Sequence, residues 1–384
     1  MNFTYYDIII LILFLLILYP FVIYPIILFL LSKFFRNEAK RKVGLRKKIS
    51  IIISCYNEED LIEDCINSIF QSDYPMDDIE VLVGSDGSTD RTAEIVNGLA
   101  NKYSQIKFFD LARSGKNKVL NFLCTKTEGE IIFFLDADVR ISSDSISKMV
   151  ENYADVNVGA VLAYVMNIYT DESVNFGHLT EDFYQRFEKY IRKKESIVFS
   201  TFNAMGQFYS VRKSLYEPIP NEFVCDDFTP ILKVALKKKR NIFDDRAIVY
   251  EVRKKSLTGE FARRVRMASC GMSSVWDARK LFSFKTALAA FFLFSHKVSR
   301  WFVTPLFILI LVMSLAFYSV SNEALFSLFL ILLTLIIIII GLIFEKINYN
   351  CKIFRFAYIF FNMNIGMLFG FIKFIFRKEN SKWE

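Results

Sequence analysis

The residues best placed to do chemistry are Asp136 and Asp138, which follow the apolar run Ile131-Ile132-Phe133-Phe134-Leu135. A short continuous apolar run reads as a strand buried on both faces, so the two acids emerge at its carboxyl end, where open α/β sheets bind ligands. Two carboxylates one residue apart can hold a hard divalent cation, Mn²⁺ or Mg²⁺, and such a cation can neutralise a diphosphate. A strand end followed by a helix cap would account for an isolated Asp-x-Asp equally well, so the meaning of the pair rests on what surrounds it.

The surroundings repeat the pattern. Ile51-Ile52-Ile53 leads into the polar stretch Ser54-Cys55-Tyr56-Asn57-Glu58-Glu59 and then a helix through Leu61, Ile66 and Ile69. Val81-Leu82-Val83 reads as the next strand, residues 84–90 as a turn, and Thr92 to Leu99 as helix. Strands alternating with helices imply a parallel sheet whose loops gather on one edge. The Gly, Ser, Thr and Asp residues of the second loop suit a turn and a helix cap.

In order and spacing, Ser54-Cys55-Tyr56-Asn57-Glu58-Glu59, Asp86-Gly87-Ser88-Thr89-Asp90, Gly115-Lys116-Asn117-Lys118-Val119-Leu120-Asn121 and Asp136-Ala137-Asp138 resemble the nucleotide-sugar half of the family 2 glycosyltransferases. The likeness continues through Gly206, Cys225-Asp226-Asp227 and Arg263-Arg264-Val265-Arg266-Met267, roughly residues 50–270. It implies an α/β GT-A fold, a Rossmann-like sheet with an acceptor-binding half, and sugar transfer that inverts the anomeric centre.

The resemblance also implies roles. Asp86 would contact the base or ribose of a nucleotide-sugar donor, Asp138 would bind the metal with Asp136 assisting the metal or the ribose, and Lys116 would lie near the sugar or diphosphate. Glu58 belongs to the first motif. Asp227, second acid of the pair with Asp226, would be the general base that removes the acceptor hydroxyl's proton as that oxygen attacks. Acids at a helix N-terminus are favoured by the helix dipole as well, and the two explanations are compatible. Arg263 and Arg266 would grip the diphosphate. Met267 stands where many relatives carry Trp, which in membrane-embedded polymer synthases lines the acceptor site; its absence points away from processive synthesis.

Composition locates the chemistry. Hydrophobic residues make up 53% of 384, with 41 Phe, more apolar than an ordinary soluble chain. Tyr5 through Leu31 contains no Lys or Arg and only Asp7, and it exceeds the ~20 residues that cross a bilayer. It lacks a basic leader and a small-residue cleavage site, so it reads as an anchor, kinked near Pro20 and Pro25. Lys33, Arg36 and the cluster from Lys40 to Lys48 follow, a flank the positive-inside rule assigns to the cytosol. Trp301 to Val320 and Leu325 to Phe344 read as a hairpin of spans around Ser321-Asn322-Glu323. Phe354 to Phe376 is long enough to span, yet Asn362, Asn364 and the trailing Lys373, Arg377, Lys378 and Lys382 equally suit an interfacial or re-entrant segment.

The expected organisation is an N-terminal anchor (1–33), a basic linker (34–49), a cytosolic GT-A catalytic domain (50–255), an amphipathic interfacial segment (256–300) and a membrane region of two or three helices (301–384). Phe261, Met272, Trp276 and Phe294 give the interfacial segment its apolar character, facing membrane lipids. Ser295-His296-Lys297-Val298-Ser299-Arg300-Trp301 is similar to a segment that precedes the final spans in related enzymes. The six cysteines show no CxxC spacing and read as free thiols. His178 and His296 have no neighbour at metal-ligand spacing, which argues against zinc. A net charge of +7 is explained by the juxtamembrane clusters and calls for no nucleic acid, and the run Lys237-Lys238-Lys239-Arg240 reads as a solvated helix end. The expected activity is transfer of a sugar from a nucleotide-diphosphate donor to a lipid-linked or growing glycan acceptor. A processive polysaccharide synthase is the alternative; a silent membrane scaffold is disfavoured by Asp86, Asp138, Asp227 and Arg266 together, and a transporter by too few spans with no central ionisable chain.

Overall fold

The computed structural model describes residues 5–169, 177–203, 206–220, 225–253 and 257–376, Asn348 and Asn350 excepted. Arg377, Lys378 and Lys382 lie outside the described residues, as does the side chain of His178. Helix α1 (Tyr5–Leu18) passes through a π turn at Tyr19–Ile23 into α2 (Tyr24–Phe34). Pro20 and Pro25 stand in the first turns of the second and third pieces, and each removes an N–H from the ladder, which accounts for the break at the place the sequence suggests.

The chain then alternates β1 (Ile49–Cys55), α3 (Ile62–Phe70), β2 (Ile79–Asp86), α4 (Thr92–Lys102), β3 (Ile106–Leu111), α5 (Lys116–Lys126) and β4 (Ile131–Asp136). After these come β5 (Val139–Ile141), α6 (Ser145–Glu151), β6 (Val158–Tyr169), α7 (Gly177–Val198), β7 (Phe208–Arg212), α8 (Phe228–Leu236) and β8 (Arg240–Arg253). All eight strands join one sheet in the order β3-β2-β1-β4-β7-β6-β8-β5. The first four strands of that order run parallel and β7 is antiparallel to β4. Pleating sends Ile51, Val83 and Phe133 to one core and Ile52, Leu82 and Phe134 to the other. With both faces covered, the strands need apolar residues at every position, so their sequences read as continuous runs with no alternation.

Beyond the sheet lie α9 (Leu257–Asp277), α10 (Ala287–Leu293), the short α11 (Ser299–Trp301), α12 (Val303–Phe317), α13 (Asn322–Lys346) and α14 (Lys352–Phe376). Leu13, Ile310 and Ile331 pack together, joining α1, α12 and α13. At one end of this bundle Ser321 hydrogen-bonds Asp7 and the rings of Tyr6 and Phe317 stack with centroids 3.8 Å apart. The tip of the hairpin therefore lies beside the start of α1, away from the sheet domain. Among the described residues three helices are long and apolar enough to cross a membrane, or up to four if the bent pair of segments Phe284–Trp301 and Val303–Phe317 counts as one.

Helix α14 touches the opposite, domain-proximal end. Phe360 meets Phe21 with ring centroids 5.3 Å apart, and the Asn364 carbonyl accepts from Thr304 Oγ1 at 3.0 Å. A Cβ on Gly370 would sit 2.5 Å from the Ala268 Cβ, so a glycine is what lets α14 and α9 approach. These partners lie at the start of α12, at the break after α1 and on α9, which sets α14 across that end of the bundle.

Two sequence expectations are corrected. Arg240 does not belong to a solvated helix end: only 6% exposed at the start of β8, it donates Nε to Phe199 O at 2.6 Å and Nη2 to Ser196 O at 3.0 Å. Those carbonyls close α7 and need donors, which a buried guanidinium supplies. Cys225 and Cys270, expected as thiols, form a disulfide with their Cα atoms 5.4 Å apart. Their separation of 45 residues gives no local signature, because the pairing exists only once α9 has packed beside the start of α8. Cys55, Cys65, Cys124 and Cys351 are free.

Candidate active site

The carboxyl ends of β1, β2 and β4 share one edge of the sheet, and the loops that leave them carry the acids. After β1 the chain turns through Asn57, whose left-handed backbone an Asn tolerates, and its Oδ1 accepts the Thr89 N–H at 2.8 Å. The Glu58 N–H donates to Thr92 Oγ1 at 2.8 Å. The first two loops are thus knitted together, and Glu58 is held beside the end of β4. A cavity of about 500 Å³ opens here, lined by Glu58, Lys116, Asp136, Asp138, Asp226 and Asp227 on this side.

Lys116, first residue of α5, joins two motifs that are far apart in sequence. Its Nζ lies 2.6 Å from Asp136 Oδ1 and 2.6 Å from Asp226 Oδ2. Burial alone would favour the neutral amine, but the two carboxylates outweigh it and raise the Lys116 pKa above its ordinary value. Asp136 is pushed up to about 7, chiefly by burial and further by Asp226 and Asp138, against the pull of Lys116. Glu58 is also pushed up to about 7, by burial and then by Asp138 and Asp136. Acids that raise one another in this way are short of positive charge.

That shortage bears on a metal. Among the described residues no group of three His, Cys, Asp or Glu converges as a ready coordination site. The oxygens of Asp138, Asp136 and Glu58 are nonetheless hard donors of the right kind. Mg²⁺ and Mn²⁺ are commonly held by one or two carboxylates together with substrate phosphates, so the set fits a cation that arrives with, or is completed by, a diphosphate.

Asp227 immediately precedes α8 and lies beside Asp226 in the cavity wall. Burial first and the Asp226 charge second push it up to about 6, while Lys297 and Lys116 draw it down. Gly206 abuts it: a Cβ there would come within 3.1 Å of Asp227 Cβ and Oδ2, so a side chain would press on the carboxylate. Arg263, Arg266 and Met267 reach the same cavity from α9.

Asp86 is placed differently from its neighbours. It is fully buried at the end of β2 and is not part of the cavity wall. Its Oδ1 accepts the N–H of Ser114 at 2.6 Å and of Gly115 at 3.0 Å, and its Oδ2 accepts from Arg113 Nη1 at 3.0 Å. The Arg113 guanidinium in turn lies 3.4 Å above the Tyr56 ring. In this arrangement Asp86 braces the loop that delivers Lys116.

Sequence reasoning gave no role to the groups on the far wall. Glu188 and Arg192 of α7 line the cavity with His296, Lys297 and Arg300. His296, 1% exposed, has Nε2 3.1 Å from Glu188 Oε2 and Nδ1 2.9 Å from Glu195 Oε1. Arg300 Nη1 is 2.5 Å from Glu188 Oε1, and Tyr24 of α2 donates to Glu195 Oε1 at 2.5 Å. The available signal was the spacing of Glu188, Arg192 and Glu195, which puts three charges on one helical face.

The glycosyl transferase family 2 model matches residues 50–215. The chain is 26% identical over 228 residues to a poly-β-1,6-N-acetyl-D-glucosamine synthase of Staphylococcus epidermidis, covering 58% of this chain and 54% of that one. It is 32% identical over 132 residues to a β-monoglucosyldiacylglycerol synthase of Synechocystis, covering 34% of this chain and 27% of that one. The chain therefore spans about half the length of the first relative and about a quarter of the second. In fold it is similar to the mannosyltransferase PcManGT of Pyrobaculum calidifontis, solved in complex with GDP-Man and Mn²⁺. The TM-score is 0.74 at 22% identity, over 97% of this chain and all of the other, and the sheet domain accordingly has the GT-A fold.

Proposed function

We propose, on the premise that residues 50–215 make this chain a member of glycosyl transferase family 2, that it transfers a sugar from a nucleotide-diphosphate donor to a lipid-linked or glycan acceptor at a membrane surface. The observation that carries the reading is Lys116 bound at 2.6 Å to both Asp136 and Asp226, with Asp227 alongside. One lysine thereby joins the strand-end acids suited to a donor diphosphate to the acid pair suited to an acceptor.

In this reading Asp138, with Asp136 and Glu58, holds a divalent cation of the kind found with GDP-Man in the similarly folded mannosyltransferase. The cation, when bound, supplies charge that stabilises the departing nucleoside diphosphate. Lys116 places a fixed positive charge beside the same group, and Arg263 and Arg266 face it from α9. The acceptor hydroxyl oxygen attacks the anomeric carbon from the side opposite the diphosphate, the bond to the diphosphate oxygen breaks, and Asp227 takes the hydroxyl proton. Attack from that side inverts the anomeric centre. Asp86 acts through the loop it braces, holding Lys116 in register. Apolar helices among the candidate spans, the α1–α2 helix and α13 first, fix the site at a bilayer, with the sheet domain on the cytosolic side where the Lys and Arg cluster lies.

The test is donor hydrolysis and transfer by the full chain against a panel of UDP-, GDP- and dTDP-sugars. Activity with one donor class identifies the nucleotide, and no binding of any nucleoside diphosphate in the presence of Mn²⁺ or Mg²⁺ would overturn the reading.

A further inference from the structure

Arg192 and Arg300 are 2% and 7% exposed, yet three of their N–H-bearing atoms, Arg192 Nη1, Arg300 Nε and Arg300 Nη2, have no hydrogen-bond partner among the described residues. Both residues line the cavity. Charge around them is nearly balanced: Arg192, Arg300 and Lys297 stand near Glu188, Glu195 and Asp227. The hydrogen-bond count is not balanced. The Glu188 side chain is already taken by Arg300 Nη1, His296 and Asn203, and the Glu195 carboxylate by Tyr24 and Thr201. Buried guanidinium donors left without acceptors are costly, and a group with several acceptor oxygens would satisfy them together.

Position says which substrate brings that group. Lys116 touches Asp226 on one side of the acid pair, the side of the strand ends. Lys297 lies near Asp227, with its Nζ 3.2 Å from Asn203 Oδ1 and 4.6 Å from the centre of the Phe228 ring. Asp227 thus shares one cavity with Lys116 and with Lys297, Arg192 and Arg300. The Arg192–Arg300 wall is also tied to α2 through Tyr24 and Glu195, so it adjoins the apolar helices.

We propose that Arg192, Arg300 and Lys297 form an anion subsite that receives a phosphate group carried by the acceptor, next to the hydroxyl that Asp227 deprotonates. The inference rests on the proposed glycosyl transfer and names the class of acceptor: a phosphate-bearing molecule presented at the bilayer.

The experiment uses the full chain in detergent and three probes, inorganic phosphate, dihexanoyl-phosphatidylglycerol and the neutral dihexanoylglycerol, read by thermal stabilisation and by titration. The phosphorylated probes should stabilise the protein and the neutral one should not. Arg192→Gln should weaken the phosphorylated probes about tenfold or more, the scale of a lost charge-assisted bond, while leaving the affinity for a nucleoside diphosphate with Mn²⁺ unchanged. Arg300→Lys, which keeps a charge near Glu188 but loses the planar fork, should give the same pattern and serves if the first variant does not fold. Inorganic phosphate acting as well as the lipid would identify a free anion as a sufficient ligand, and the lipid acting alone would identify the headgroup; either keeps the subsite. Equal stabilisation by the neutral lipid, or equal loss of nucleotide and phosphate binding in the variants, would overturn it. The nucleotide arm in the wild type separates this failure from failure of the transferase reading itself.

Discussion

Lys116 Nζ stands 2.6 Å from Asp226 Oδ2, so the first residue of α5 is bonded to an acid 110 positions later in the chain, immediately before the candidate base. Removing Lys116 leaves Asp136 and Asp226 without their shared cation, whereas removing Asp226 leaves Lys116 paired with Asp136. Lys116→Met is therefore expected to lose donor binding and to loosen the Asp226–Asp227 turn, while Asp226→Asn, which retains a hydrogen-bond acceptor for Lys116, should be milder. Titration of a nucleoside diphosphate into both variants compares them. Tighter binding in Lys116→Met than in Asp226→Asn would contradict the bridging role.

Asp227→Asn should preserve the fold and nucleotide binding and cost on the order of 10²–10⁴ in kcat, the range for loss of a general base. Asp226→Asn should cost less in kcat. Steady-state rates at saturating donor decide the order, and the reverse order would make Asp226 the base.

The pH dependence follows from the same residue. Asp227 sits at about 6, above the ordinary carboxylate range, because burial and Asp226 oppose its charge more than Lys297 and Lys116 favour it. A base works only when deprotonated, so kcat should be level above about pH 6 and fall about tenfold per unit below it. Lys297→Met removes a charge that lowers this pKa, and the limb should move to higher pH. A limb that stays in place in Lys297→Met would show that another group controls the profile.

Chelation addresses the acids at the end of β4. Glu58, Asp136 and Asp138 crowd one another and lack a converged set of three ligands among the described residues, so a cation held there would be completed by the donor's phosphates. EDTA should abolish transfer, Mn²⁺ or Mg²⁺ should restore it, and Asp138→Asn should weaken nucleotide binding only when metal is present. Full activity in EDTA would remove the metal from the scheme.

How much of this was legible depended on sequence distance. The strand-end location of Asp136 and the loops after β1 and β2 could be read because buried parallel strands have continuous apolar runs such as Ile131 to Leu135. The bridge between Lys116 and Asp226 could not, since two motifs had to fold onto one edge before they met. Asp86 was singled out through the family resemblance, while its place at the last position of β2, with its carboxylate accepting the N–H groups of Ser114 and Gly115, could not be read from the sequence. The Cys225–Cys270 link was hidden for the same reason as the lysine bridge. It also yields a prediction: alkylation under denaturing, non-reducing conditions should modify only Cys55, Cys65, Cys124 and Cys351. Closing a loop of 45 residues is worth up to about 4 kcal/mol of chain entropy, so reduction should lower the Tm. Six modified thiols before reduction would exclude the bridge.

Met267 bears on how many sugars are added. It lines the cavity from α9, one position after Arg266, and is 43% exposed. A processive synthase must keep the new acceptor sugar in place between cycles, and an aromatic face does so by stacking along the ring's apolar side. A thioether chain with three rotatable bonds is a weaker platform. A polymer would also need a path across the bilayer, and the contacts of α14 through Phe360, Asn364 and Gly370 hold it to Phe21, Thr304 and Ala268 at the domain-proximal end of the bundle. Both features favour addition of one or a few sugars per encounter, in keeping with an acceptor brought to the site by the membrane. Mass spectrometry of a product time course would measure it: short products should accumulate while unmodified acceptor is consumed, and Met267→Trp should lengthen them if acceptor stacking is what is missing. Long polymer appearing early, with most acceptor untouched, would instead make the chain a processive synthase.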